Sequence, residues 1–193
     1  MYGLDVHKAI VDNIYENTND YARNTFKMPI YVENLIKEGK LGKKTKIGLY
    51  KDEESKVFDV EKNKYRDIKK YNIPFIDEVI EKFKIGDYEK GINIIFTDTS
   101  KEAQICKEML INYIIYAITT AKEVAYDIQD CDIAMAEGFN WIPPYALLQI
   151  IGKDSFKENA LKIYKQNEKD IYEILRHNVK SEYKYQKFLK AKR

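Results

Sequence analysis

Glycine and proline are scarce here, at 8 and 4 of 193 residues. Sandwiches and barrels spend both freely on turns, so this supply argues against them and for helices. Cysteine is scarcer still: Cys106 and Cys131 stand 25 residues apart, a spacing that makes neither a metal site nor a redox pair. Two reduced thiols point to a cytoplasmic protein. No charge of one sign dominates, since 33 Lys and Arg against 31 Asp and Glu leave a formal +2. The overall balance therefore demands no polyanionic partner. The chain does not open with the basic start and apolar run of a signal peptide. The uncharged stretch from Met109 to Ala121 has 13 residues, too few to cross a bilayer, so no membrane is expected.

That stretch belongs instead to a long core helix. Thr99 and Glu102 have the spacing of a capping box, in which each side chain satisfies a free amide at the helix start. From there Ala103, Cys106, Leu110, Tyr113, Ile114 and Ala117 follow helical spacing, and Ala121, Val124 and Ile128 continue it. Gln104, Glu108, Asn112, Thr119 and Glu123 fall opposite. Most of the remaining chain reads as what covers this helix.

Upstream, the spacing predicts an amphipathic helix over Leu4 to Asn17, with Val6, Ile10, Val11, Ile14 and Tyr15 on one face. His7 lies at the edge of that face, without the companions a metal ligand needs. Pro29 suits the first position of a second helix, which carries Val32, Leu35 and Ile36 and stops at Gly39. A basic loop from Lys40 to Lys46 leads into an extended piece. Val57 to Val60 and Tyr65 to Ile68 then fit a small hairpin. Pro74 starts a helix ending near Gly86, and Asp87 to Phe96 adds a short one. Beyond the long helix come Gln129 to Glu137, stopped by Gly138, and Tyr145 to Ile151, stopped by Gly152. Helices over Asp154 to Tyr164 and Asp170 to about Phe188 complete the set. A faint echo at an offset of 149 aligns Gly3, Asp5, Lys8, Ile14 and Tyr15 with Gly152, Asp154, Lys157, Ile163 and Tyr164, suggesting two copies of one unit.

Several motifs resemble a known family. Gly3-Leu4-Asp5, the helix ending Ile14-Tyr15-Glu16-Asn17, and Phe26-Lys27-Met28-Pro29 come first. Gly39-Lys40-Leu41-Gly42-Lys43-Lys44-Thr45 with Gly48-Leu49-Tyr50 follows, and is the most specific piece. Together they are similar to the closing half of the C-terminal domain of 3-hydroxyacyl-CoA dehydrogenases. Asp132-Ile133-Ala134-Met135, Gly138-Phe139-Asn140-Trp141 and Pro144 are similar to the opening half of that domain's second copy. Lys46 stands where the family has Gly, Leu49 where it has Phe, Pro143 where it has Gly and Tyr145 where it has Phe.

The resemblance implies an all-α fold, a mainly helical bundle like the C-terminal domain of 6-phosphogluconate dehydrogenase, with a small β-hairpin in the connector. It divides the chain into residues 1–50 (closing half of a first repeat), 51–73 (connector), 74–165 (second repeat) and 166–193 (a basic helical tail). The implied function is the substrate-covering and dimerisation portion of an NAD-dependent 3-hydroxyacyl-CoA dehydrogenase of the fatty-acid β-oxidation type. The implied partners are acyl-CoA, a Rossmann NAD-binding domain on the same or a separate chain, and a second copy. No G-x-G-x-x-G occurs, and neither histidine has the family's catalytic surroundings. Asn112 lies near the family's substrate-assisting Asn but lacks its flanking Arg, and no role is carried over. No cofactor or metal is therefore expected on this chain, and alone it is expected to be inactive.

Candidate binding residues each admit two readings. Lys43 and Lys44, with Lys46, either receive the phosphates of coenzyme A or form a solvated basic turn whose glycines serve backbone geometry. Phe139 and Trp141 either line an acyl pocket or pack against the long helix. His177 reads as a solvated helix residue. The tail alternates Lys180, Lys184, Lys187 and Lys190 with Tyr183, Tyr185 and Phe188, which fits a solvated helix or a nucleic-acid contact. The alternative to an enzyme portion is a non-enzymatic helical interaction module on the same scaffold.

Overall fold

The computed structural model describes residues 3–19, 22–51, 53, 55–163 and 168–176. His177 and the tail beyond it lie outside the described residues. The chain forms two compact units, Met1–Tyr71 and Asn72–Arg193. The expected mainly helical architecture with a small antiparallel sheet is what is observed.

The first unit opens with α1 (Leu4–Asn17), whose limits match its sequence pattern. A 3-10 turn (Arg23–Phe26) follows, then α2 (Ile30–Lys37). Pro29 is the cap of α2 rather than its first residue. Val32 and Leu35 of α2 are buried, whereas α1 buries none of its side chains. Val6, His7 and Ile10 are exposed, so His7 does not lie at a core edge. Lys8 links the two helices, reaching Asp12 on its own helix at 2.7 Å and Glu33 on α2 at 3.2 Å. The connector holds one strand more than the expected hairpin. β1 (Tyr50–Lys51), β2 (Lys56–Asp59) and β3 (Lys64–Asp67) form an antiparallel sheet in that order, with Phe58 opposite Tyr65.

The second unit is built on α5 (Lys101–Val124). Around it pack α4 (Tyr88–Thr97), α6 (Ile128–Ile133), α7 (Pro144–Ile151), α8 (Lys153–Ile163) and α9 (Glu168–Arg176). The remaining helix, α3 (Pro74–Lys84), pairs with α4. Gly91 permits that pairing, because a Cβ there would meet the Phe83 ring at 2.4 Å. Ile111, Ile114, Ile115 and Ile118 of α5 are almost wholly buried against Leu147, Leu148, Phe156, Ile171 and Ile174. Burial of a branched aliphatic side chain contributes about 1.5–3 kcal/mol, so this cluster dominates the stability of the unit.

Two features of α5 differ from the sequence pattern. Its cap is Ser100, not Thr99: Ser100 Oγ accepts from Ala103 N at 3.2 Å, and Asp98 Oδ1 accepts from Ser100 N at 2.7 Å. At the other end Val124, expected in the core, is 77% exposed. Lys107 is buried on α5, its Nζ donating to Asp98 O at 2.7 Å at the end of α4. No helix among the described residues is long and apolar enough to cross a membrane.

Candidate functional site

In the first unit, the Gly-Leu-Asp and Gly-x-Leu-Gly-x-Lys-Thr motifs meet each other. Leu4 N donates to Leu41 O at 3.0 Å, and Lys44 Nζ pairs with Asp5 Oδ2. That pairing holds the Asp5 carboxyl below its usual range. Thr45 closes the loop from inside. Its Oγ1 accepts from Leu41 N at 2.9 Å and donates to Ile47 O at 2.9 Å. Gly42 has φ 107°, a region open in practice to glycine alone. A Cβ on Gly48 would lie 2.7 Å from the Gly42 backbone, so the two glycines allow the chain to cross itself. Lys43 and Lys44 lie on the 3-10 turn Lys43–Thr45 within this knot. Lys46 caps that turn with φ 60° in left-handed geometry, a conformation that glycine adopts at less cost.

In the second unit a cleft of about 610 Å³ opens between α5 and α6. Small residues are prominent in its lining: buried Ala117 and Ala121 on α5 and exposed Ala134 beyond α6. Small side chains on facing helices leave room that larger ones would fill. Tyr113 and Trp141 stand at one end of α5's contribution, and Val124, Ala125 and Tyr126 at the other. Met135 lies on a π-helical turn (Ala134–Gly138), whose extra residue per turn interrupts the regular helix.

Trp141 thus both lines the cleft and packs edge-on against Tyr113, ring centres 5.7 Å apart. Phe139 sits beyond it, 6.3 Å from the indole, and is not part of the lining. Asn140 between them has φ 53°, which sets the two rings on an exposed knuckle. The cleft's polar groups include three that are engaged within the protein. Tyr113 OH donates to Ile142 O at 2.9 Å, Cys131 Sγ points to Ala117 O at 3.7 Å, and Asp130 accepts from Asp127 N at 3.1 Å. Burial pushes the Cys131 thiol up to about 11, and the neighbouring Asp132 adds to the rise. It remains a thiol at neutral pH and is a poor nucleophile.

Behind the cleft wall lies Asp132, a fully buried carboxyl. Its Oδ1 accepts from Tyr145 N at 2.7 Å and its Oδ2 from Ala146 N at 3.0 Å. It therefore caps α7 from another helix. Burial pushes its pKa up to about 7, against the pull of the two amide bonds. The sequence pattern around Asp132 does not reveal this role. A signal was present: α7 begins Pro143-Pro144 and has no side-chain cap of its own, so its free amides need an acceptor from elsewhere. Among the described residues no group of His, Cys, Asp and Glu is placed to hold a metal ion.

The chain is similar to the probable 3-hydroxyacyl-CoA dehydrogenase of Bacillus subtilis (strain 168), with 24% identity over 164 residues. The match takes in 83% of this chain and 20% of that protein, so the chain corresponds to about one-fifth of that relative's length. No protein-family model and no solved structure matches the chain.

Proposed function

We propose that this chain is the helical C-terminal portion of an NAD-dependent 3-hydroxyacyl-CoA dehydrogenase. It covers the acyl-CoA and supplies a self-association surface, while a Rossmann domain on the same or another chain holds NAD. The observation that carries this reading is the match of 83% of the chain to one-fifth of a protein named for that activity. The helical fold and the interlocked Gly-x-Leu-Gly-x-Lys-Thr turn support it. The reaction moves a hydride from C3 of a 3-hydroxyacyl thioester to the nicotinamide while the C3 hydroxyl gives its proton to a base outside this chain, leaving a 3-oxoacyl thioester. A Rossmann sheet binds the dinucleotide at its strand ends and leaves the substrate side open. Helices laid over that side exclude water and fix the acyl group near the nicotinamide.

On this reading Lys43 and Lys44 meet the phosphates of coenzyme A, and Phe139 and Trp141 meet the acyl portion; each pair is assigned on its own. Lys44 does so while paired with Asp5, which leaves a partly screened ammonium at the turn. The test adds a separately made Rossmann domain and follows NADH oxidation with acetoacetyl-CoA. Activity should appear only in the mixture. A chain that binds no acyl-CoA, restores no activity and instead co-purifies with a protein partner would favour the interaction-module reading, to which exposed Met109, Val124 and Tyr126 lend some weight.

A further inference from the structure

We propose that the cleft between α5 and α6 is a chain-length subsite that takes the long, unbranched tail of an acyl thioester. This rests on the acyl-CoA reading above and adds what that reading leaves open, the length class of the acyl group. From Tyr113 to Val124 the cleft follows twelve residues of α5, and the helical rise between those two is about 17 Å. The volume of about 610 Å³ lies within the range of small-ligand pockets. A short acyl group would leave most of that length unfilled.

The chemistry of the lining selects an aliphatic occupant. Ala117, Ala121, Val124, Ala134 and Met135 offer only hydrocarbon and thioether. The hydroxyl of Tyr113, the thiol of Cys131 and the carboxylate of Asp130 are turned to protein partners. Pockets for compact polar ligands carry convergent donors or acceptors that orient the ligand, whereas here Tyr113 and Cys131 are engaged within the protein and the remaining hydroxyls, of Tyr116, Thr120 and Tyr126, are spread along the cleft. An acyl thioester has all its polarity at one end, so its tail needs none. Met135 on the π-helical turn supplies an adaptable wall, since an unbranched thioether repacks around chains of different length. Ala117 and Ala121 set the depth, because any larger side chain there would occupy the path of the tail.

The sole tryptophan of the chain, Trp141, lines the cleft and reports on it directly. Its emission is followed as the full chain is titrated with coenzyme A, butyryl-CoA and palmitoyl-CoA below micellar concentration. Palmitoyl-CoA should bind at least about tenfold tighter than butyryl-CoA and shift the emission, since each buried methylene adds favourable transfer. Ala121→Leu should remove that advantage and leave butyryl-CoA binding unchanged. Should Ala121→Leu fail to fold by circular dichroism, Thr120→Phe blocks the cleft from a half-buried position. Equal affinity for both acyl lengths overturns the subsite while leaving the acyl-CoA reading intact. Unchanged palmitoyl-CoA binding by the blocked variants also overturns it, as tail binding would then lie elsewhere. Binding of no coenzyme A compound overturns both. Trp141 emission that depends on protein concentration without ligand would assign the cleft to a second copy and overturn the subsite.

Discussion

At the scale of single residues, Asp132 carries the sharpest consequence. Its two oxygens hold Tyr145 N and Ala146 N, so Asp132→Ala strands two buried amides at once. That should cost roughly 2–4 kcal/mol, seen as a lower midpoint in urea unfolding. The pH dependence has a definite sign. Folded Asp132 releases its proton at about 7, the unfolded chain near 3.8. Between those values the folded state binds the extra proton, so this group's contribution is fully present below pH 4 and is lost as pH rises to 7. The slope approaches 1.4 kcal/mol per pH unit at most, being about one proton's worth. Asp5, Asp59, Asp87 and Asp98 are shifted downward and act oppositely, their contributions fading as pH falls below 4. Urea midpoints measured from pH 4.5 to 8 should therefore decline for the native chain and stay level for Asp132→Asn. A level native profile would mean that the two amides keep the carboxylate ionised throughout. Lys46 makes a second residue-scale case. Its left-handed φ of 60° strains any residue with a Cβ, so Lys46→Gly should stabilise by about 0.5–1 kcal/mol in the same assay.

At the scale of elements, what sequence could reveal depended on whether a feature has a period. The α1 limits were legible because one apolar stripe runs unbroken from Leu4 to Asn17 with neither Gly nor Pro inside. The hairpin was legible from β-formers on either side of a short polar link, and it forms with Asp59 opposite Lys64. Strand β1 was not, because two residues, Tyr50 and Lys51, are too few to show alternation. The cap of α5 was misplaced by one residue because Thr99 and Ser100 both carry hydroxyls; the choice rests on Asp98 taking the Ser100 amide. The π-helical turn left no trace in a pattern of 3.6 residues, though it shapes the cleft wall. Trp141 was legible as a pocket candidate, whereas Ala117 and Ala121 passed as ordinary core alanines. The α3–α4 pair offers a test of packing at this scale. Gly91→Ala drives a methyl into the Phe83 ring, which is stacked on Tyr88 at 4.9 Å and cannot swing aside freely. The change should cost about 1–3 kcal/mol, although alanine is the better helix former. A stabilised Gly91→Ala would show that the two helices part easily.

At the scale of the whole molecule, the two units differ in how much apolar surface each encloses by itself. The described residues of 72–193 bury isoleucines, leucines and aromatics from six helices in one connected cluster. Among the described residues of 1–71, the buried large apolar side chains are Val32, Leu35 and Phe58. The order of that unit relies on polar fastenings instead: the Thr45 hydroxyl, the Lys44–Asp5 pair and the crossing of Gly42 with Gly48. Exposed ion pairs and single hydrogen bonds contribute on the order of 1 kcal/mol each, whereas ordering a residue costs about as much again. A segment of about 70 residues on such terms is marginal. Expressed alone, residues 72–193 should melt cooperatively by circular dichroism and retain the pH slope set by Asp132. Residues 1–71 alone should show no cooperative transition, and Thr45→Ala should abolish what amide protection the 41–47 loop retains in hydrogen exchange. A cooperative melt of the isolated first unit would place its stability in the motif turn itself. The Gly-x-Leu-Gly-x-Lys-Thr run would then be an autonomous structural device, and its lysines would owe their positions to the fold before any ligand.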